Sequence, residues 1–193
     1  MKRSFSEDDI LAAGLGIIRD EGYEAVTMRR VAAAAGSSVQ PLYSMFGDRD
    51  TFMEALYRYA VQWVREYNSE HSDAGCNVFS SVGVAHIRIA QNFPGVFSFV
   101  YMSPYVKAAN RSELLSLAEQ PGVVSEMVSM WGISEDQAKN LYADLAIYTH
   151  GLATLIMAGA EFSDDELKAG MNNVFRALAL AMGLQWEGGS HEG

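Results

Sequence analysis

Between Thr27 and Asp50 the sequence reads TMRRVAAAAGSSVQPLYSMFGDRD, and this stretch restricts the fold more than any other part of the chain. Thr27 suits the N-cap of a short helix that ends near Ala35, with Gly36 as its C-terminal breaker. Ser38 suits the cap of the next helix. Proline is tolerated only in the first turn of a helix, so Pro41 pins that start near Ser38. It also disfavours helical geometry at Gln40, which makes an irregular first turn the expectation. Two short helices joined by Gly36-Ser37 have the spacing of a helix-turn-helix unit. The small side chains of Ala32 to Ala35 would let the two cross closely, with Val31, Leu42 and Phe46 filling the shared core.

Helical signals run through the rest of the 193 residues, and strand-like alternation is scarce. A first helix is expected from Ser6, whose hydroxyl can cap it and whose followers Glu7, Asp8 and Asp9 suit the positive end of the helix dipole. Its core stripe would be Ile10, Leu11, Gly14, Leu15, Ile17 and Ile18, ending near Gly22. Further helices are expected from Asp48 or Asp50 to about His71, Val78 to Asn92, Ser112 to Glu119, Pro121 to about Trp131, Ser134 to Gly159 and Asp164 to Gly183. NFPGVFSFVYMSPY, residues 92–105, reads as an aromatic-rich break. The fold class is therefore all-α. The expected organisation is an N-terminal three-helix domain over 1–50, a helical regulatory domain over 51–185 and a flexible tail over 186–193.

Hydrophobic residues make up 49% of the chain, enough for a sizeable core. The single cysteine, Cys76, cannot make an internal disulfide, which favours a reducing, cytoplasmic setting. After Met1 the chain reads KRSFSEDDI with no apolar run, so no signal peptide is expected. LAIYTHGLATLIMAGA, residues 145–160, is short for a membrane span and reads as a buried helix.

Net charge is −10, which argues against a non-specific nucleic-acid binder. Its distribution is uneven. Val26 to Arg49 holds three basic residues (Arg29, Arg30, Arg49) against one acid, Asp48, whereas Tyr59 to the end holds seven basic and fifteen acidic. Arg29 and Arg30 sit at a helix start, where positive charge costs a few tenths to about 1 kcal/mol. A DNA phosphate near that end would offset the cost by meeting amide donors, the Thr27 hydroxyl and a guanidinium together. Arg49 is in the same position at the next helix start. The second helix of such a unit enters the major groove N-terminus first. Ser38, Val39, Gln40 and Pro41 would then face base edges. The Gln40 amide can pair bidentately with adenine, and Val39 and Pro41 can pack on thymine methyls. Tyr43 and Ser44 would reach phosphates, and Lys2 with Arg3 would form an arm for the adjacent minor groove. The plainer alternative is that Arg29 pairs with Glu24 or Asp48.

At these residues the sequence resembles the TetR family of transcriptional repressors. The shared pattern is Thr27, Val31-Ala32, Ala35-Gly36, Ser38, Leu42-Tyr43, Phe46, Arg49 and Phe52, with Gly22-Tyr23 before it. The chain departs from that pattern at Ser37, Gln40, Met45 and Arg49, where the family usually has Val, often Gly, His and Lys. Gln40-Pro41 should alter operator choice, and Met45 removes one phosphate contact. Gln40-Pro41 together with His150-Gly151-Leu152-Ala153 resembles a subset of the family.

The resemblance implies a regulatory domain that dimerises through its last two long helices in a four-helix bundle. Candidate dimer residues are Ile147, Gly151 and Leu155 on one helix and Val174, Leu178 and Met182 on the other; all of them also suit intrachain core. Two-fold symmetry would set two recognition helices one DNA turn apart on a pseudo-palindrome. For a small apolar or aromatic effector the candidates are Phe93, Phe97, Tyr101, Met102 and Tyr105, then Met127, Trp131 and Tyr148, with His86 and His150 as polar contacts. Such residues also fill any helical core. Effector binding would favour a domain arrangement that no longer matches the operator, with the fourth helix as the lever.

An enzyme is not expected. None of the four histidines has Glu three residues before it, as a di-iron bundle needs. No Gly-rich phosphate loop or nucleophile elbow occurs. Neither a cofactor nor a metal is called for. The expected function is a ligand-responsive repressor binding double-stranded DNA as a homodimer. The alternative is a helical dimer that binds a ligand or protein and has lost DNA binding, motivated by the seven basic and nine acidic residues of 1–58.

Overall fold

Ser6 opens α1 (Glu7–Glu21) through a reciprocal capping box: the Asp9 amide donates to the Ser6 hydroxyl and the Ser6 amide to the Asp9 carboxylate. A computed structural model describes residues 5–71, 78–107, 113 and 122–184 of the chain. Among the described residues there is no strand. The elements after α1 are a 3₁₀ turn (Tyr23–Ala25), α2 (Met28–Ala34), α3 (Val39–Phe46), α4 (Arg49–Glu70), α5 (Val78–Asn92), α6 (Pro94–Met102), α7 (Val123–Trp131), α8 (Glu135–Met157) and α9 (Asp164–Ala181). The helix expected over Ser112 to Glu119 lies outside the described residues except Glu113.

Two compact units divide the chain: Met1–Tyr67 with Arg88–Ala108, and Asn68–Ile87 with Ala109–Gly193. Within the first unit α6 packs on α1. In the first unit Ile10 and Ile18 of α1, Val31 of α2, Leu42 of α3 and Phe52 and Leu56 of α4 are fully buried. Gly14 admits the Leu56 and Phe52 side chains against α1. Phe46 meets Phe52 edge-on, with ring centroids 5.1 Å apart.

The turn between α2 and α3 is a Schellman motif. The Ser37 amide donates to the Ala32 carbonyl and the Gly36 amide to the Ala33 carbonyl. Gly36 takes the positive φ, 70°, that this motif requires. Of the four alanines only Ala32 is buried; Ala33 and Ala34 face outward, so the close crossing rests on one small residue rather than four. Ser38 holds the N-cap position of α3, but its side chain makes no capping hydrogen bond. Pro41 is the third helical residue, where no intrahelical amide bond is lost. Asp48 caps α4, its carboxylate accepting from the Thr51 amide at 2.8 Å.

The expected break at residues 92–105 is instead mostly helix. Pro94 takes the first helical position, which its fixed φ and missing N–H suit. Val96, Phe97, Phe99 and Val100 of the resulting α6 are buried.

In the second unit, α8 and α9 each start at a capping box, Ser134 with Gln137 and Ser163 with Glu166. Val123, Val124 and Met127 of α7, Leu141, Tyr142 and Leu145 of α8, and Phe175 and Ala179 of α9 form its apolar cluster. α7 begins at Val123 after Gly122 (φ 90°), two residues later than the sequence suggests. α8 and α9 each stop two residues short of the expected glycine.

Candidate nucleic-acid interface

Leu42 and Phe46 anchor α3 from beneath, so its other face is presented to solvent. That face carries Ser38, Gln40, Tyr43, Ser44 and Met45, all exposed, with Val39 and Pro41 half-buried beside them. The Ser44 hydroxyl donates back to the Gln40 carbonyl at 3.1 Å, which keeps it within the helix when no other acceptor is offered. The Gln40 amide extends into solvent as a two-way hydrogen-bonding group.

The cations around α3 differ in their surroundings. Thr27 caps α2 by accepting from the Arg30 amide at 3.2 Å. Arg29 is exposed and makes no hydrogen bond or ion pair among the described residues; neither Glu24 nor Asp48 pairs with it. Arg30 is exposed but engaged: its guanidinium pairs with the Glu21 carboxylate and donates to the Ala25 carbonyl at 3.3 Å. Arg49 lies 3.9 Å from Asp50, a loose contact on a carboxylate that is almost fully exposed. The Asp48 carboxylate, held below its ordinary pKa by the Thr51 amide, serves the α4 cap. Acids therefore meet two of the three arginines and leave Arg29 open. Lys2 and Arg3 lie outside the described residues.

The sequence offers no signal for Glu21 as a member of this group. It sits nine residues before Arg30, across the 3₁₀ turn, and only the fold brings the two together. Tyr57 is likewise unmarked in the sequence; its hydroxyl donates to the Val100 carbonyl at 3.1 Å and ties α4 to α6.

The effector candidates fall five into each unit. In the first, Phe93 meets Trp63 and Tyr67 edge-on at 5.1 and 5.5 Å, Phe97 lies 5.0 Å from Tyr101, and Tyr105 lies 5.6 Å from Phe99. Met102 stands exposed at the end of α6. In the second unit, Met127 belongs to the apolar cluster and Trp131 packs on Phe175, ring centroids 5.2 Å apart. The space above Gly170 is taken by the Tyr148 hydroxyl. His86 and His150 face one another with ring centroids 5.7 Å apart. Burial, reinforced by the neighbouring His150 imidazole, pushes His86 down to about 3, and its Nε2 is sealed from solvent. Burial also lowers His150. Both imidazoles are therefore neutral at pH 7.

Of the dimer candidates, Ile147 and Leu155 are 50% and 53% exposed, with exposed Gly151 midway between them on one face of α8. Val174, Leu178 and Met182 are partly buried against the apolar cluster of their own chain. Among the described residues no group of three metal-ligating side chains occurs, and no helix is long and apolar enough to cross a membrane.

The all-α fold, with an N-terminal helix-turn-helix domain and a C-terminal helical domain, is TetR-like. Residues 10–56 match the family described as bacterial regulatory proteins, tetR family. Three solved structures share the fold. A tetR-family transcriptional regulator from Streptomyces coelicolor superposes with a TM-score of 0.69 at 16% identity, over 92% of this chain and 84% of that one. A putative TetR-family regulator from Vibrio parahaemolyticus does so with a TM-score of 0.61 at 17% identity, over 89% and 97%. The multidrug binding protein EbrR, complexed with imidazole, gives a TM-score of 0.61 at 16% identity, over 97% and 99%. None of the curated proteins matches the sequence.

Proposed function

We propose that the chain is a ligand-responsive transcriptional repressor that binds a pseudo-palindromic operator as a homodimer and is released by a small, largely apolar effector. The outward face of α3 carries this conclusion. Ser38, Gln40, Tyr43 and Ser44 stand exposed above buried Leu42 and Phe46, on a helix held to α2 by a tight turn. Such a face fits the major groove, with Gln40 reading adenine and Tyr43 and Ser44 at the phosphate backbone. Thr27, Arg29 and Arg49 flank it as phosphate contacts.

Gln40-Pro41 and the His150–Ala153 segment support reading the chain as a member of the subset of the family that shares them. Pairing would use the exposed Ile147, Gly151 and Leu155 face of α8 together with α9. The multidrug binding protein of the same fold accords with an apolar effector, and the neutral His86–His150 pair would supply its polar contact. The protein works in the cytoplasm and needs no cofactor.

A dimer without DNA binding is the second reading, favoured by the pairing of Arg30 with Glu21 and of Arg49 with Asp50. Selection of bound duplexes from a random DNA library by the purified protein decides between them. Enrichment of a pseudo-palindrome supports the repressor. No enriched sequence at low salt sinks it in favour of the second reading.

A further inference from the structure

Resting on the DNA-binding reading above, we propose that Arg30 is a positioning residue and not a phosphate contact, and that the phosphate charge at α2 is met by Arg29 alone.

Three separate interactions hold Arg30 in place. Its amide donates to the Thr27 hydroxyl that caps α2. One guanidinium nitrogen pairs with the Glu21 carboxylate in the last residue of α1. Another donates to the Ala25 carbonyl at the end of the 3₁₀ turn. A planar guanidinium addresses two acceptors in fixed directions, so one side chain spans the end of α1, the turn and the start of α2.

Glu21 supplies the reason for the arrangement. A carboxylate at a helix C-terminus opposes the macrodipole, and a cation beside it offsets that cost. Were Arg30 to turn toward DNA, it would give up both acceptors. It would also leave the Glu21 carboxylate uncompensated beside the phosphate backbone, so the net charge gained there would be small. Arg29, one residue earlier and about 100° around the helix, has no such competitor among the described residues. α2 in turn carries α3 through the Gly36 turn. Arg30 therefore sets the angle at which the reading helix stands on α1.

The salt dependence of binding separates the two roles, because each phosphate contact releases counterions and adds about 0.9 to the slope of log K against log salt. The probe is the duplex enriched in the library selection, titrated at several salt concentrations below each variant's melting temperature. Arg29→Ala should lower the slope by about 1. Arg30→Ala and Glu21→Ala should each weaken binding by about two- to fivefold, in line with the small coupling of an exposed ion pair. Their slopes should match wild type, and the double variant should lose no more than either single one. The charge-swapped pair Glu21→Arg with Arg30→Glu should recover part of the affinity by re-forming the ion pair, though the Ala25 carbonyl loses its donor; loss of a phosphate contact or general loosening of the domain would not allow that recovery. A slope reduced by Arg30→Ala as much as by Arg29→Ala overturns the inference. So does tighter binding by Glu21→Ala, or a charge swap that binds no better than Arg30→Ala. A wild-type protein that retains no duplex at any salt overturns the DNA reading and this inference with it, an outcome distinct from equal slopes.

Discussion

Gly95 stands directly against Ile18: a β-carbon at position 95 would lie 2.1 Å from the Ile18 carbonyl oxygen. That oxygen also accepts the amide of Gly22, which ends α1, so the C-terminus of α1 and the first turn of α6 share one tight junction. Gly95→Ala forces backbone apart from backbone. It should destabilise the protein by about 1–3 kcal/mol, the range for overpacking a close contact. Gly16 of α1 has nothing within 4 Å of the same position. Gly16→Ala should therefore stabilise by about 0.5–1 kcal/mol through helix propensity. Urea midpoints of the two variants should move in opposite directions; a shift of both the same way would mean that this junction does not carry stability.

Acid should weaken the fold through His86. Its pKa falls from 6.5 to about 3 in the folded chain, so the unfolded chain takes up the proton first. Stability is therefore full above pH 6.5 and declines as pH falls below it, by about 1.4 kcal/mol per unit. Lowering pH from 6.5 to 5 should cost about 2 kcal/mol from this residue. The half-buried His150 adds to the loss in the same direction. The carboxylates with lowered values, Asp48, Glu54, Glu135 and Glu166, act in a more acidic window, below their ordinary 3.8 to 4.5. Denaturant titrations at pH 7 and 5 should show a smaller pH loss in His86→Leu than in wild type. Equal losses would place the acid sensitivity elsewhere.

Gln40→Ala should relax the sequence preference at one base step per half-site. A bidentate amide–adenine pair supports about 1–3 kcal/mol of discrimination. Repeating the library selection with the variant is the measurement; an unchanged preferred sequence would remove Gln40 from base readout.

Ile147→Glu combined with Leu155→Glu puts two charges on the exposed face of α8. If that face pairs two copies, sedimentation equilibrium at micromolar concentration should show monomer where wild type shows dimer, because an uncompensated buried carboxylate costs several kcal/mol. A double variant that stays dimeric would assign the interface to another surface.

Much of the architecture was legible in short-range chemistry. Ser6 and Thr27 each hold the N-cap position expected for them, and Ser134 and Ser163 cap their helices in the same way, because a cap is a bond between residues three apart. Gly36 ends α2 for an equally local reason, its positive φ. The segment 92–105 misled, since proline and aromatic density resemble a break until α1 supplies a surface that buries Val96, Phe97, Phe99 and Val100. Outward-facing Ala33 and Ala34 misled in the other direction, because small residues say that close packing is permitted and not where it occurs.

Local rules reach three or four residues, and within that reach the sequence by itself determined the all-α class, most helix starts and the helix-turn-helix unit at residues 27–46. Tertiary structure alone decided which charges meet. Glu21 reaches Arg30 across a turn, and Lys107 bonds Glu54 from 53 residues away at 2.9 Å, holding that carboxyl below its ordinary range. It also decided that Gly95 touches Ile18 and that two imidazoles from α5 and α8 face one another. These contacts depend on helix crossing geometry, which many side chains set together and no single stretch of sequence encodes.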